Sequence, residues 1–375
     1  MALTIPLNFT VVLIGAVIAQ GTFAALLIFL QRHNQHANRY LSLLVLSFSL
    51  WLCDTFFRVA GVYQQNPDFY FLPIYFSFAF GPLMYFYTRT MTEKHFSLQL
   101  MHFLHFIPVL LQAALYLFLQ LKDYSFRRWF WLEVHRPVTY NLEFNLTLLS
   151  LLVYLVLSIR LVFKYQNWIE NQYSEISKIS LHWLKVVQAV LLLLTLLWFL
   201  DALLRQVTNY YPDQPFSAIA MGFAILVLAI GGLLQADLRD KGVVVKKPNS
   251  AEPFKNANDI DPALLATITS EMELKQHFLN PNLTLEDFAK AINLPARQVS
   301  FHLNQGLGVP FIDFVNRYRV EQVKRHIEQN DLPNLTLLGI ALESGFSSKS
   351  TFNRVFKKFT GESPSGYQKA VQNLS

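Results

Sequence analysis

From residue 8 to about residue 236 the chain repeats one pattern, an apolar stretch of about 20 residues followed by a short polar break. The stretches lie near residues 8–30, 40–60, 70–90, 100–121, 143–165, 181–204 and 215–236. Each is long enough to cross roughly 30 Å of hydrocarbon as a helix, so the pattern predicts seven membrane spans. An odd number of spans puts the two ends of this region on opposite sides of the bilayer. The opening MALTIPLNFT holds no basic residue. The first run is therefore expected to be a retained helix with its N-terminus outside, not a cleaved signal peptide.

At Asp237 the pattern stops. Residues 237–261 are polar, with Pro248 and Pro253 among them, and read as a juxtamembrane linker. Lys241, Lys246 and Lys247 would rest on anionic headgroups. From residue 262 to 375 the pattern becomes that of short amphipathic helices with clear punctuation. Pro262 opens the first, Thr284 with Asp287 forms a capping-box pattern for the second, and Pro295 begins the third. Pro310 precedes a longer fourth helix with Phe311, Phe314, Val315, Tyr318 and Ile327 on its buried side. Thr336 is the candidate N-cap of the fifth, and Gly345 supplies a left-handed turn position before a sixth over 347–359. Gly361 ends that helix, and Pro364 starts the last. The second and third helices, and the fifth and sixth, are separated by turns of a few residues, as a helix-turn-helix requires. The expected fold is all-α: a seven-helix transmembrane region over residues 1–236, then a seven-helix soluble domain over 262–375.

Composition supports this division. The 375 residues are 53% hydrophobic and 15% charged, which is too apolar for an ordinary soluble protein. The net charge of +6 invites a nucleic-acid reading, but it is unevenly spread. Residues 1–249 carry 18 Lys and Arg against 12 acids, and residues 250–375 carry 13 of each. The excess therefore belongs to the apolar part. On the seven-span topology, 12 basic residues fall on the side of the C-terminus and 6 on the other. Basic residues accumulate on the cytoplasmic side of short loops, so the C-terminal domain is expected in the cytoplasm of a cell-membrane protein. One cysteine, Cys53, allows neither an intrachain disulfide nor a cysteine-based metal cluster.

Ionisable residues within the spans are few and expensive unless paired or hydrated. Asp54 with Arg58 and Asp201 with Arg205 are spaced to meet on one helix face, each near the outer end of its span. They read either as structural ion pairs or as a polar vestibule in which a signal molecule could bind. Trp129, Phe130 and Trp131 suit a short interfacial helix, or alternatively a lid over a ligand. His102, His105 and His182 match no metal-binding spacing, and no HExxH, Walker loop or nucleophile elbow occurs. No enzyme activity, cofactor or metal is expected.

The run TLLGIALESGFSSKSTFNRVFKKFTGESPSGYQK, residues 336–369, resembles the second helix-turn-helix and signature tail of AraC-type transcriptional regulators. The resemblance rests on Ile340 and Ala341, Gly345 and Phe346, the S-x-F-x-R-x-F-K-K run from Ser350 to Lys358, and Gly361, Pro364 and Tyr367. The first unit departs from the pattern, with Leu303, Asn304 and Gln305 where the family usually has Phe-Lys-Lys. The whole arrangement resembles a membrane-bound subgroup of these regulators. It implies two recognition helices, joined by a helix of roughly 30 Å, placed in successive major-groove turns about 34 Å apart.

Candidate contacts follow from the exposed faces. In the sixth helix Phe352, Phe356 and Phe359 are expected to be buried with Val355 at the margin, leaving Lys349, Ser350, Asn353 and Arg354 for base readout. Ser347, Lys357 and Lys358 are assigned to phosphates. In the third helix Arg297, Gln298, Ser300 and His302 are candidates for base readout and Asn304 for a phosphate. Residues 347–369 carry a local +4 in a domain of zero net charge, so binding should be salt-sensitive and should benefit from pairing in a homodimer. The chain is expected to be a membrane-anchored one-component regulator whose partners are DNA, the lipid bilayer, a second copy and an unidentified signal. The rival is a receptor or transporter whose tail is a protein-docking module.

Overall fold

In the computed structural model of the chain, the residues described are 4–93, 96–176, 182–208, 216–234, 260–329 and 336–374. The expected linker, apart from Ile260 and Asp261, lies outside them. Among the described residues every regular element is helical. The chain divides into two compact units, Met1–Phe163 with Leu181–Val245 and Lys164–Ser180 with Lys246–Ser375.

The first unit contains α1 (Phe9–Leu30), α2 (Gln35–Val59), α3 (Phe80–Thr92), α4 (Ile107–Gln120), the greater part of α5 (Tyr140–Gln172), α6 (His182–Thr208) and α7 (Phe216–Leu234). Asn8 caps α1 by accepting from the Val11 amide at 2.9 Å. α1 packs on α2 and α7, and α2 packs on α3. The approach of α1 depends on Gly21. A Cβ there would collide with the Ser49 hydroxyl and come within 2.6 Å of Ile225. Nearby, the Ser42 hydroxyl donates to the Ala25 carbonyl at 2.7 Å, an interhelical bond of the kind that holds apolar helices together.

Among the described residues, five helical segments are long and apolar enough to cross a membrane: Phe9–Leu30, Gln35–Val59, Leu100–Gln120, Tyr124–Gln172 and His182–Asp201. The apolar helix at Ala218–Leu234 is shorter. The outward faces are correspondingly greasy. Phe23, Leu26 and Phe29 are exposed on α1, Leu110, Leu117 and Phe118 on α4, Leu149, Val153 and Val156 on α5, and Leu193, Leu196 and Leu203 on α6. Exposed apolar surface of this extent marks a face that meets a membrane or another protein.

The stretch expected as a span at 70–90 is not one helix. Only Phe80–Thr92 is regular α-helix, 13 residues or about 20 Å. Before it the chain makes single 3-10 turns at Pro67–Phe69 and Ser77–Ala79, and Phe71 takes a positive φ of 62°. Pro67 and Pro73 withhold backbone donors here. The aromatic residues of this segment pack sideways, Phe71 edge-on to Phe130, Trp131 and His135. Hydropathy alone scores such a segment like a span.

The second unit contains the last residues of α5, the extended segment 173–176, α8 (Pro262–Leu274), α9 (Leu285–Ala291), α10 (Ala296–Phe301), α11 (Phe311–Glu328), α12 (Leu337–Glu343), α13 (Lys349–Thr360) and α14 (Pro364–Leu374). Its described residues form two hydrophobic cores. One gathers Ile268, Phe278, Phe288, Val299 and Leu303 with Phe311, Phe314 and Val315. The other gathers Ile340, Phe346, Phe352 and Phe356 with Val320, Val323 and Ile327. α11 thus gives its first half to one core and its second half to the other.

Candidate nucleic-acid interface

The second unit carries two helix-turn-helix arrangements. In the first, Thr284 caps α9, its hydroxyl accepting from the Asp287 amide at 3.1 Å and donating to the Asp287 carboxylate at 2.6 Å. The chain turns through Asn293, at φ 56°, into α10, which continues into a π-helical turn over His302–Gly306. In the second, Thr336 caps α12 through the Gly339 amide at 3.1 Å. The turn into α13 passes through Gly345 at φ 90°, a left-handed conformation that side chains disfavour. A Cβ on Gly345 would also strike the Phe278 carbonyl oxygen and lie 2.9 Å from Leu279 Cα. Ser348 caps α13 through the Thr351 amide at 3.3 Å.

α13 presents Lys349, Ser350, Asn353, Arg354, Lys357 and Lys358 on one exposed face. Its buried face is Phe352, Val355 and Phe356, with Phe359 half-buried. Val355 and Phe359 therefore exchange the core and marginal places expected for them. Lys358 is engaged rather than free, its ammonium lying 2.7 and 2.8 Å from the Asp313 carboxylate on α11. On α10, Arg297 is exposed, while Gln298 and Ser300 are half-buried.

His302 does not belong on the readout face. It is 1% exposed. Its Nε2 accepts from the Asp261 amide at 3.1 Å, and its Nδ1 is 2.8 Å from the Gln298 carbonyl, which it can reach only as a donor. The imidazole joins the start of α8 to α10. It sits at i+3 from Val299, the apolar stripe of its helix, and not on the stripe of Arg297.

Asn304 and Ser347, both assigned to phosphates, also have partners in the second unit. The Asn304 amide donates to Asn171 Oδ1 and to the Ser300 carbonyl, each at 2.8 Å. The Ser347 hydroxyl donates to Glu175 Oε2 at 2.6 Å, and the Thr351 hydroxyl lies 3.4 Å from Glu175 Oε1. The residues around Glu175 are fixed by Arg319 of α11, which is fully buried. Its guanidinium donates to the carbonyls of Phe278 and Asn280 at 2.8 Å, to the Ser174 hydroxyl at 3.1 Å and to the Ser174 carbonyl at 3.2 Å. A fifth, longer bond reaches Asn316 Oδ1 at 3.4 Å. Burial pushes the Arg319 pKa down to about 10, opposed by the nearby Glu175 carboxylate, so the group stays charged at neutral pH.

Sequence reasoning missed Arg319 and Glu175. For Arg319 a signal existed, because it falls on the i, i+4 row Phe311, Val315, Arg319, Val323, Ile327, an arginine on an otherwise apolar stripe. Glu175 lies more than 170 residues from Ser347, and no local pattern marks it.

The first unit has a cavity of 180 Å³ whose walls include Asp54, Arg58 and Asp201. The side chain of Arg205 lies outside the described residues. Asp54 pairs with Arg58 at 2.5 Å and accepts from the Tyr63 hydroxyl at 2.7 Å. Glu143, on the first turn of α5, also lines the cavity and accepts from Tyr116 at 2.9 Å and from the Gln112 amide. Trp131 contributes a wall as well, while Trp129, in the short helix Tyr124–Phe130, remains half exposed. His102 accepts from the Gln99 amide at 2.9 Å, and His105 is 2.7 Å from the Tyr154 hydroxyl.

Residues 288–370 match the family model described as a helix-turn-helix domain. Among curated proteins, uncharacterized HTH-type transcriptional regulators of Staphylococcus aureus, from strains COL and MRSA252, are 33% identical over 95 residues. That alignment covers 25% of this chain and 12% of each relative. The Msm operon regulatory protein of Streptococcus mutans is 22% identical over 121 residues, 32% of this chain and 42% of that protein. The chain thus spans only a minor part of these relatives. A solved structure of a protein of unknown function from Listeria innocua is 29% identical, covering 29% of this chain and 98% of that one with a TM-score of 0.25.

Proposed function

We propose that this chain is a membrane-anchored, AraC-type one-component transcription regulator. It binds promoter DNA in a sequence-preferring way through α10 and α13, and its apolar helices hold the DNA-binding domain at the cytoplasmic face of the cell membrane. The observation that carries the reading is the exposed row Lys349, Asn353, Arg354 and Lys357 on a capped recognition helix within a matched helix-turn-helix region. Arg354 suits guanine and Asn353 adenine, Lys349 and Ser350 reach base edges from the first turn, and Lys357 takes a phosphate. Arg297, Gln298 and Ser300 read a second segment of the same site from α10.

α11, with 18 residues, is about 27 Å long, short enough to set two recognition helices in neighbouring turns of one groove face. The local +4 of residues 347–369 is modest, so a second copy on an adjacent half-site supplies the remaining affinity by raising effective concentration. The excess of basic residues on the side of the C-terminus orients the chain. The cavity bounded by Asp54, Arg58 and Asp201 is the place for a signal molecule.

The detergent-solubilised full chain, used to select duplexes from a random library, should enrich a motif with elements 10–10.5 bp apart or a multiple of it. Arg354→Ala should lose the motif. Failure to enrich any motif refutes the reading. A C-terminal tag should resist external protease in intact spheroplasts, and its digestion there refutes the orientation.

A further inference from the structure

The segment from Asn171 to Glu175 lies between two apolar helices in sequence, yet it is built into the DNA-binding unit. Tyr173 forms an antiparallel bridge with Thr284. The Ser174 amide donates to the Leu283 carbonyl at 3.1 Å, and its hydroxyl donates to the same oxygen at 2.7 Å. Arg319 grips the Ser174 carbonyl and hydroxyl from below. At one end Asn171 takes the amide of Asn304, and at the other Glu175 takes the hydroxyls of Ser347 and Thr351. Five residues thus reach the exit of the first recognition helix and the entrance of the second.

The chemistry at the entrance is specific. The N-terminus of a 12-residue helix carries the positive end of the helix dipole, and it attracts anions. Ser347 and Thr351 add hydroxyl donors at the same place. What occupies them is a carboxylate from a distant part of the chain, an anion with the hydrogen-bonding demands of a phosphate oxygen. Bound DNA would bring its own phosphates to this end of the helix, where the Glu175 charge repels them and holds the donors they need.

We propose that Asn171–Glu175 is an autoinhibitory strap, with Glu175 standing in for a DNA backbone phosphate at the start of α13. DNA binding requires the strap to leave, and leaving frees Asn304 and Ser347 together. The strap follows directly on α5, one continuous helix from Tyr140 to Gln172, so it is covalently continuous with the apolar segment that carries Glu143. The proposal rests on the DNA-binding reading of α13.

The test compares the detergent-solubilised full chain with its Glu175→Gln and Glu175→Lys variants. Affinity for a 40-bp mixed-sequence duplex is read by fluorescence anisotropy across a salt series, and exchange of the Ser347–Thr351 amides is read by deuterium exchange without DNA. Removing a charge-assisted bond and a like-charge repulsion should raise affinity on the order of tenfold. Glu175→Lys, which adds a cation facing the phosphates, should bind more tightly still and steepen the salt dependence by about one phosphate. The 347–351 amides should exchange faster in both variants. Equal or weaker DNA binding by the variants, with the wild-type chain binding normally, overturns the strap and leaves the DNA-binding reading standing. No DNA binding by any of the three chains overturns both.

Discussion

Replacing Arg319 with methionine removes a charged group that reaches from α11 into the backbone of its neighbours. Four of its five hydrogen bonds are 3.2 Å or shorter, and three of the acceptors are main-chain carbonyls at Phe278, Asn280 and Ser174. Hydrogen bonds to a charged donor contribute about 1.5 to 3 kcal/mol each. Against them stands the cost of burying the guanidinium. A pKa pushed down to about 10 by burial corresponds to a preference for the exposed charged form on the order of 3 kcal/mol below pH 10. Even at the lower end the four bonds exceed that cost, so Arg319→Met should destabilise the second unit by about 3 kcal/mol. Arg319→Lys should also destabilise it, because three donors on a point charge cannot serve a fork-shaped set of acceptors. Native-state deuterium exchange of the α11 amides in the full chain measures the loss directly. An unchanged or increased opening free energy in Arg319→Met, as happens when some buried ion pairs are replaced by apolar residues, would refute the reasoning.

Gly345→Ala should destabilise the whole domain, since the left-handed turn costs about 1 kcal/mol or more before the collision with the Phe278 carbonyl is counted; raised protease sensitivity of both helix-turn-helix units reports it. Lys357→Ala should lower the slope of log affinity against log salt by about one unit, equally across DNA sequences. Lys358→Ala should change that slope less, because its ammonium is already committed to Asp313, and should cost under about 1 kcal/mol of stability in thermal unfolding. His302→Ala should leave the selected DNA motif intact while loosening the start of α8, a combination that a base-reading histidine would reverse.

The elements that sequence revealed most clearly were those with local causes. Thr284, Thr336, Gly345 and Gly361 act through backbone groups within a few residues, and each does in the structure what its type implies. The exposed face of α13 likewise followed from period alone. Where the period was ambiguous the reading slipped. The 70–90 stretch is as apolar as a span, but its prolines and the lateral packing of Phe71 break it, and hydropathy carries no information about either. His302 was misplaced because one residue of a helix can lie on either side of an amphipathic boundary. Glu175 could not be read at all. Its partners, Ser347 and Thr351, are remote in sequence, and only the folded chain brings a carboxylate to a helix entrance it did not help to build. The cavity stands between these cases: Asp54 and Arg58 were marked by spacing, whereas Glu143 and Trp131 join them through tertiary packing.

The division of α11 between two cores has a consequence for folding. Phe311, Phe314 and Val315 complete one core, Val320, Val323 and Ile327 complete the other, and Arg319 sits at the changeover. Neither half of the domain can bury its apolar surface without this helix, and the helix cannot melt at one end without exposing a core. The two helix-turn-helix units should therefore open as a single foldon, with common exchange free energies for the amides of α9 and α12. A duplicated motif would ordinarily fold as two semi-independent modules. Here a shared rod makes one cooperative body of them, so that damage at either end is registered at both.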